Sequence, residues 1–235
     1  MNHASLKTLG IALIAAMPLM ASAQLSGNLS LTSNYKYRGQ DQDTSKTRAV
    51  KPALQGGFDY AFGESGWYVG NWNSSVNWLP GNSIEMDLYG GYKFKAGALD
   101  WDLGALTYLY PGNTSGNTTE LYAATTWGPL TAKYSRVVSS KWFGVPGGKG
   151  TGYFEVNAEM EVASGITLVG HVGATQFSGG AKDNGAVNYS DYKLGVGFDL
   201  GSGFSLEGAY VGATKKSDWG DINKSRLLLT LSKSL

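Results

Sequence analysis

The sequence predicts an all-β chain: a transmembrane, antiparallel, up-and-down β-barrel of about twelve strands with both termini periplasmic. Three observations predict it. Apolar and polar residues alternate with period two almost throughout, connectors are short and long by turns, and aromatic rings gather near the ends of the alternating segments. Period-two alternation puts successive side chains on opposite faces of a strand. The segments run about ten to twelve residues, near the length that crosses a bilayer at a tilt.

Residues 1–23 read as a cleaved secretory signal peptide, with Lys7, an apolar run over residues 9–20 and then Ala21-Ser22-Ala23. The barrel is expected over residues 24–235. The chain carries 19 basic and 18 acidic residues, so no charge excess points to nucleic acid. Cysteine is absent, which removes disulfides, thiolate catalysis and cysteine metal sites together. The 34 glycines, 14 tyrosines and 7 tryptophans favour a turn-rich β chain.

Taken in order, residues 24–39 read as one strand. Leu25, Leu29, Leu31, Tyr35 and Tyr37 face lipid there, with Lys36 and Arg38 facing inward. Leu54, Phe58, Tyr60 and Phe62 then oppose Gln55 and Asp59. Tyr68, Trp72, Val76 and Trp78 oppose Asn71, Asn73 and Ser75. Ile84, Met86, Leu88, Tyr92 and Phe94 oppose Glu85, Asp87, Lys93 and Lys95, and Leu99, Trp101 and Leu103 oppose Asp100 and Asp102. Segments near 121–127, 130–138 and 166–177 alternate less cleanly. Phe154, Val156, Met160 and Val162 oppose Glu155, Glu159 and Glu161, Leu194, Val196 and Phe198 oppose Asp191, Lys193 and Asp199, and Phe204 and Leu206 oppose Glu207. The chain ends on Leu227, Leu229, Leu231 and Leu235 in one register. This resembles a terminal strand read by outer-membrane assembly machinery, except that Leu235 stands where an aromatic residue is expected.

Short connectors such as Ala96-Gly97-Ala98, Gly128-Pro129 and Gly201-Ser202-Gly203 alternate with polar stretches at 40–51, 79–83, 111–118, 139–150, 178–188 and 217–223. Short turns on one side and long loops on the other are the layout of an outer-membrane barrel. Lipid offers no partner to a backbone polar group, so such a sheet has to close.

Ser33-Asn34-Tyr35-Lys36-Tyr37-Arg38-Gly39, Pro52-Ala53-Leu54-Gln55-Gly56-Gly57-Phe58-Asp59-Tyr60, Gly66-Trp67-Tyr68-Val69-Gly70-Asn71-Trp72, Glu85-Met86-Asp87-Leu88-Tyr89-Gly90-Gly91-Tyr92 and Tyr108-Leu109-Tyr110-Pro111-Gly112 together resemble the TorF family of proteobacterial porins. The resemblance is dense over residues 33–122 and thinner beyond. It implies a barrel of the cell outer membrane that passes small solutes, and it brings no catalytic residue set.

With lipid on the apolar face, the expected pore lining is Lys36, Arg38, Asp59, Glu85, Asp87, Lys93, Asp100, Asp102, Glu155, Glu159, Glu161, Asp191, Lys193, Asp199 and Glu207. Acids outnumber bases in this set, which favours cations. No cofactor is called for. Glu155, Glu159 and Glu161 read as a solvated stripe ahead of a divalent-cation site, and Asp100 and Asp102 as cross-strand partners of Lys93 and Lys95 ahead of an acid–base pair. An enzyme is not expected: His171 is the one histidine beyond the leader, and no Gly-x-Ser-x-Gly occurs. The expected function is passive diffusion of small polar solutes or ions. The expected partners are outer-membrane lipid, the assembly machinery and the solute, and no connector reads as an obvious plug. The alternative is a closed barrel acting through its outside loops as an adhesin or receptor, with Trp142, Phe143 and Trp219 as the aromatic exceptions in otherwise polar loops.

Overall fold

The computed structural model describes residues 24–45 and 50–235, and the expected leader, residues 1–23, lies outside the described residues. Twelve strands form the wall: β1 (Gln24–Thr32), β2 (Ala53–Ala61), β3 (Trp67–Ser75), β4 (Ile84–Ala96), β5 (Leu99–Leu109), β6 (Thr118–Trp127), β7 (Leu130–Val137), β8 (Gly152–Ala163), β9 (Ile166–Gln176), β10 (Tyr189–Gly201), β11 (Phe204–Ala213) and β12 (Arg226–Ser234). Each pairs antiparallel with its neighbours in sequence. The sheet then closes where β1 meets β12, with Leu31 opposite Leu231 and Thr32 opposite Thr230.

Closure gives the wall two faces. Outside stand Leu25, Leu54, Phe58, Leu88, Leu121, Phe154, Val172, Leu194 and Leu227, with Leu194 71% and Leu227 81% exposed. A soluble protein rarely shows so continuous an apolar surface, and here it forms the belt that lipid covers. At the short-turn end Tyr60, Phe62, Trp67, Tyr92, Phe94 and Trp101 pack ring on ring around the outside, the arrangement expected where bilayer meets water.

The inner face is set by a cross-strand device invisible to hydropathy. Tyr68, Tyr89, Tyr122 and Tyr153 point inward, and each lies against a glycine of an adjacent strand: Gly91, Gly70, Gly104 and Gly173. A Cβ on Gly104 would stand 2.3 Å from the Tyr122 hydroxyl oxygen and 2.6 Å from the Gly90 carbonyl oxygen. Rings seated this way lie along the wall instead of across the lumen.

Two expectations fail here. The β3 faces are reversed: Tyr68, Trp72 and Val76 point inward, and Trp67, Val69, Asn71 and Asn73 point outward. Trp72 stands opposite Asp87 and Asn71 opposite Leu88, and directly paired residues share a face. The acidic β4 register therefore outranks the apolar character of Trp72. The first strand also ends at Thr32, not Gly39. Ser33 still bonds β12 through its amide, which donates to the Leu229 carbonyl, and the chain then turns into the lumen.

Leu194→Arg is expected to lower the folding free energy into lipid vesicles by about 2–4 kcal/mol, measured by urea titration. Gly104→Ala is expected to cost about 1–3 kcal/mol through overpacking. Gly208→Ala, whose Cβ would meet nothing nearer than 3.7 Å, should cost less than half of that.

Candidate functional site: a charged lumen with an inlet hairpin

Residues 33–43 fold back inside the barrel mouth as a small hairpin, Lys36–Tyr37 against Gln40–Asp41. Its turn is Arg38-Gly39, with φ of 45° and 72°. Positive φ at both central residues is the signature of the tight turn that joins paired strands, and glycine at the second position makes it accessible. Alternation runs unbroken through strand and hairpin alike, so periodicity could not separate them.

Polar bonds fix the hairpin to the wall on several sides. The Arg38 guanidinium donates two parallel bonds to Glu120 of β6, at 2.9 and 2.7 Å, and lies 4.1 Å from the centre of the Tyr153 ring. Asp41 accepts from Arg226 of β12 at 2.8 Å and pairs with Lys36 at 3.0 Å. Lys36 also donates to the carbonyl of Ile222 at 3.0 Å, and Gln40 donates to Asn223 at 2.9 Å. The Tyr35 hydroxyl donates to Glu85 of β4 at 2.8 Å, and the Tyr37 hydroxyl bonds that of Tyr108.

Tyr35 and Tyr37 therefore face the lumen, not lipid, and Tyr108 and Tyr110, 3% and 1% exposed, are interior residues instead of an outer aromatic belt. A phenol buried in lipid would lack the acceptors that Glu85 supplies. Lys36 and Arg38 are inside, and they stand on the hairpin, not on the wall. The expectation that no connector plugs the barrel is corrected, since this segment narrows the mouth.

The longer loops close over the same end. Trp142, 4% exposed, packs edge-on to Phe177 at 4.7 Å and near Trp219, with Tyr189 and Ala181 beside them. Phe143 stacks edge-on against Tyr108 at 4.9 Å. These rings form a loop core over the mouth instead of presenting exposed hot spots.

Below the hairpin the remaining expected lining residues point inward. Asp59 accepts from the Tyr89 hydroxyl at 2.6 Å. Asp102 accepts from Tyr68 at 2.7 Å and stands opposite Lys93, whose ammonium lies 4.8 Å from the centre of the Tyr68 ring. Lys193 pairs with Glu207 at 2.6 Å. His171 touches Asp191 at 2.8 Å and Asn157 at 2.6 Å, and Asn157 donates to Glu155 at 3.1 Å. Glu159 lies on the same inner face of β8 as Glu155.

Asp100, Glu161 and Asp199 follow the inward register but end at the short-turn rim: Asp100 pairs with Lys95 at 3.3 Å, while Glu161 and Asp199 accept turn amides. Sequence reasoning missed Glu120, Lys133, Asp41 and Arg226. Glu120 alternates with the outward Leu121, and that was its only signal. Among the described residues, no three His, Asp or Glu side chains are arranged to hold a metal ion.

The family described as "Bacterial protein of unknown function (Gcw_chp)" matches residues 18–234. The chain belongs to that family. Curated proteins give no match. Among solved structures, a KdgM porin in complex with disordered oligogalacturonate is similar at a TM-score of 0.57 and 7% identity, covering 90% of this chain and 98% of that one. A NanC porin is similar at a TM-score of 0.53 and 11% identity, covering 89% and 98%. The likeness is one of fold: a transmembrane β-barrel of the outer-membrane type.

Removing the Arg38 charge leaves Glu120 buried without its partner. Arg38→Ala is expected to loosen the hairpin and raise single-channel conductance severalfold in planar bilayers, with heat-modified gel mobility checking that the barrel still folds.

Proposed function

We propose that the protein is a porin-like channel of the outer membrane, passing small polar solutes or ions by passive diffusion with a preference for cations. One observation carries this reading: a closed wall whose inner face is charged and whose acids exceed its bases. Among the described residues, no Lys, Arg or His comes within ion-pair distance of Glu85, Asp87 or Glu159, whereas Arg38, Lys193 and Arg226 each stand on an acid. A narrow pore with surplus fixed negative charge concentrates cations and excludes anions.

The fold shared with KdgM and NanC porins supports the channel reading, as does the resemblance to the TorF family. Twelve strands enclose more room than the side-chain-filled eight-stranded barrels and less than the open sixteen-stranded porins. We place the short turns and both chain ends in the periplasm and the long loops outside, with assembly machinery engaging the β12 end. His171 is bonded to Asp191 and Asn157, which suits a residue of a polar lining.

The adhesin or receptor reading is not favoured, because Trp142 and Phe143, the aromatic exceptions in the loops, are packed into the loop core.

The test is current through the purified protein in a planar bilayer with unequal potassium chloride on the two sides. Discrete steps with a reversal potential of the cation-selective sign are expected, and Glu159→Gln should move that potential toward zero. Selectivity for chloride would contradict the reading.

A further inference from the structure

Asp87 has no partner. It is 7% exposed, its Oδ1 accepts no hydrogen bond, and no Lys, Arg or His of the described residues reaches it. It stands on the inner face of β4, directly opposite Trp72 of β3 and Tyr108 of β5. The hairpin covers these two rings from the lumen side. Tyr35 meets Trp72 at 5.6 Å and Tyr37 meets Tyr108 at 5.5 Å, both edge to face. Two residues away on the same face, Glu85 is 1% exposed and accepts from Tyr35 at 2.8 Å and Tyr110 at 2.5 Å, with no cation beside it. Arg38, the guanidinium of the hairpin, is committed to Glu120.

Two neighbouring carboxyls inside an aromatic enclosure, one of them wholly unpartnered, lack a positive charge. A buried carboxylate without a partner carries a cost of several kcal/mol, which a bound cation removes. The chemistry of the enclosure selects among cations. A divalent ion takes six or more oxygens, and the described residues offer no such ligand group here. An ammonium needs fewer: it donates to carboxylate oxygens and lies against aromatic faces, which attract it through their quadrupoles.

We propose that Asp87 and Glu85, walled by Trp72, Tyr108, Tyr35 and Tyr37, form a binding site for a small ammonium-type cation beneath the inlet hairpin. The inference deepens the channel reading and rests on it for one point, that the solute reaches the site along the lumen. The residues that shape the constriction then also supply its selectivity. An ammonium seated at Asp87 contacts rings that belong to both the wall and the hairpin, so occupancy and hairpin position are linked.

The site is tested apart from conduction by isothermal titration of the detergent-solubilised, folded protein with methylammonium chloride, against sodium chloride at equal ionic strength. Saturable binding of methylammonium is expected, weakened about tenfold or more in both Asp87→Asn and Glu85→Gln. Both replacements keep side-chain shape, and heat-modified gel mobility checks their fold. Asp183→Asn, in an exposed loop, should bind as the unaltered protein does. No binding by the folded protein, binding indifferent to Asp87→Asn, or equal binding of sodium overturns the proposal. Saturable binding without bilayer current would leave the site standing and remove the channel, whereas cation current without binding would do the reverse.

Discussion

The structure depends on one constraint: in hydrocarbon, a peptide group has no partner except another peptide group. The pairing of β1 with β12 meets it, and everything else follows from the closed wall it makes. Closure turns the two faces of every strand into an outside and an inside, so one alternating sequence specifies a lipid surface and an aqueous lining together. It also fixes register all the way round. A slip of one residue in any strand would carry charges into lipid and leucines into the lumen.

The lumen is then a matter of what fills it. Tyrosines seated on glycines of an adjacent strand line the wall without crossing the lumen, while the inlet hairpin enters the mouth from one side. The hairpin is held by bonds that need low-dielectric surroundings to be strong: the double Arg38–Glu120 contact and the Asp41–Arg226 pair. Charged pairs of this kind contribute position more than net stability, because burying two ions offsets most of their attraction. They hold Tyr35 and Tyr37 over Asp87 and Glu85, so aromatic surface meets uncompensated acid beneath the hairpin.

Much of this was legible in the sequence. The twelve strands, the alternation of short turns with long loops, and the faces of β4, β5, β8 and β10 follow from alternation in which charged residues oppose aliphatic ones. Charge tells inside from outside here because only the lumen can solvate it. The failures share one cause. Tyrosine and tryptophan suit both the bilayer interface and a polar lumen, so Trp72, Tyr35, Tyr37, Tyr108 and Tyr110 could not be placed by hydropathy. Glycines directly opposite tyrosines, as with Gly104 and Tyr122, are a signal that becomes readable only once strand pairing is known. The hairpin was marked only by Arg38-Gly39, and partners such as Glu120 and Arg226, 82 and 185 residues from the hairpin residues they bond, cannot be inferred from local pattern.

The chain leaves the wall after Thr32 and enters the lumen, a departure on which the whole arrangement of the mouth rests. Its most direct test is site-directed spin labelling, which a chain without cysteine permits at single positions. Labels at Leu29→Cys and Tyr37→Cys would be compared in lipid vesicles for collision with oxygen, which concentrates in the bilayer, and with a water-soluble nickel complex. The label at position 29 is expected to collide with oxygen far more than with nickel, and the label at position 37 to be shielded from bilayer oxygen. Equal oxygen exposure at both positions would mean that the strand runs on through the membrane with Tyr37 facing lipid, and that the mouth is unobstructed.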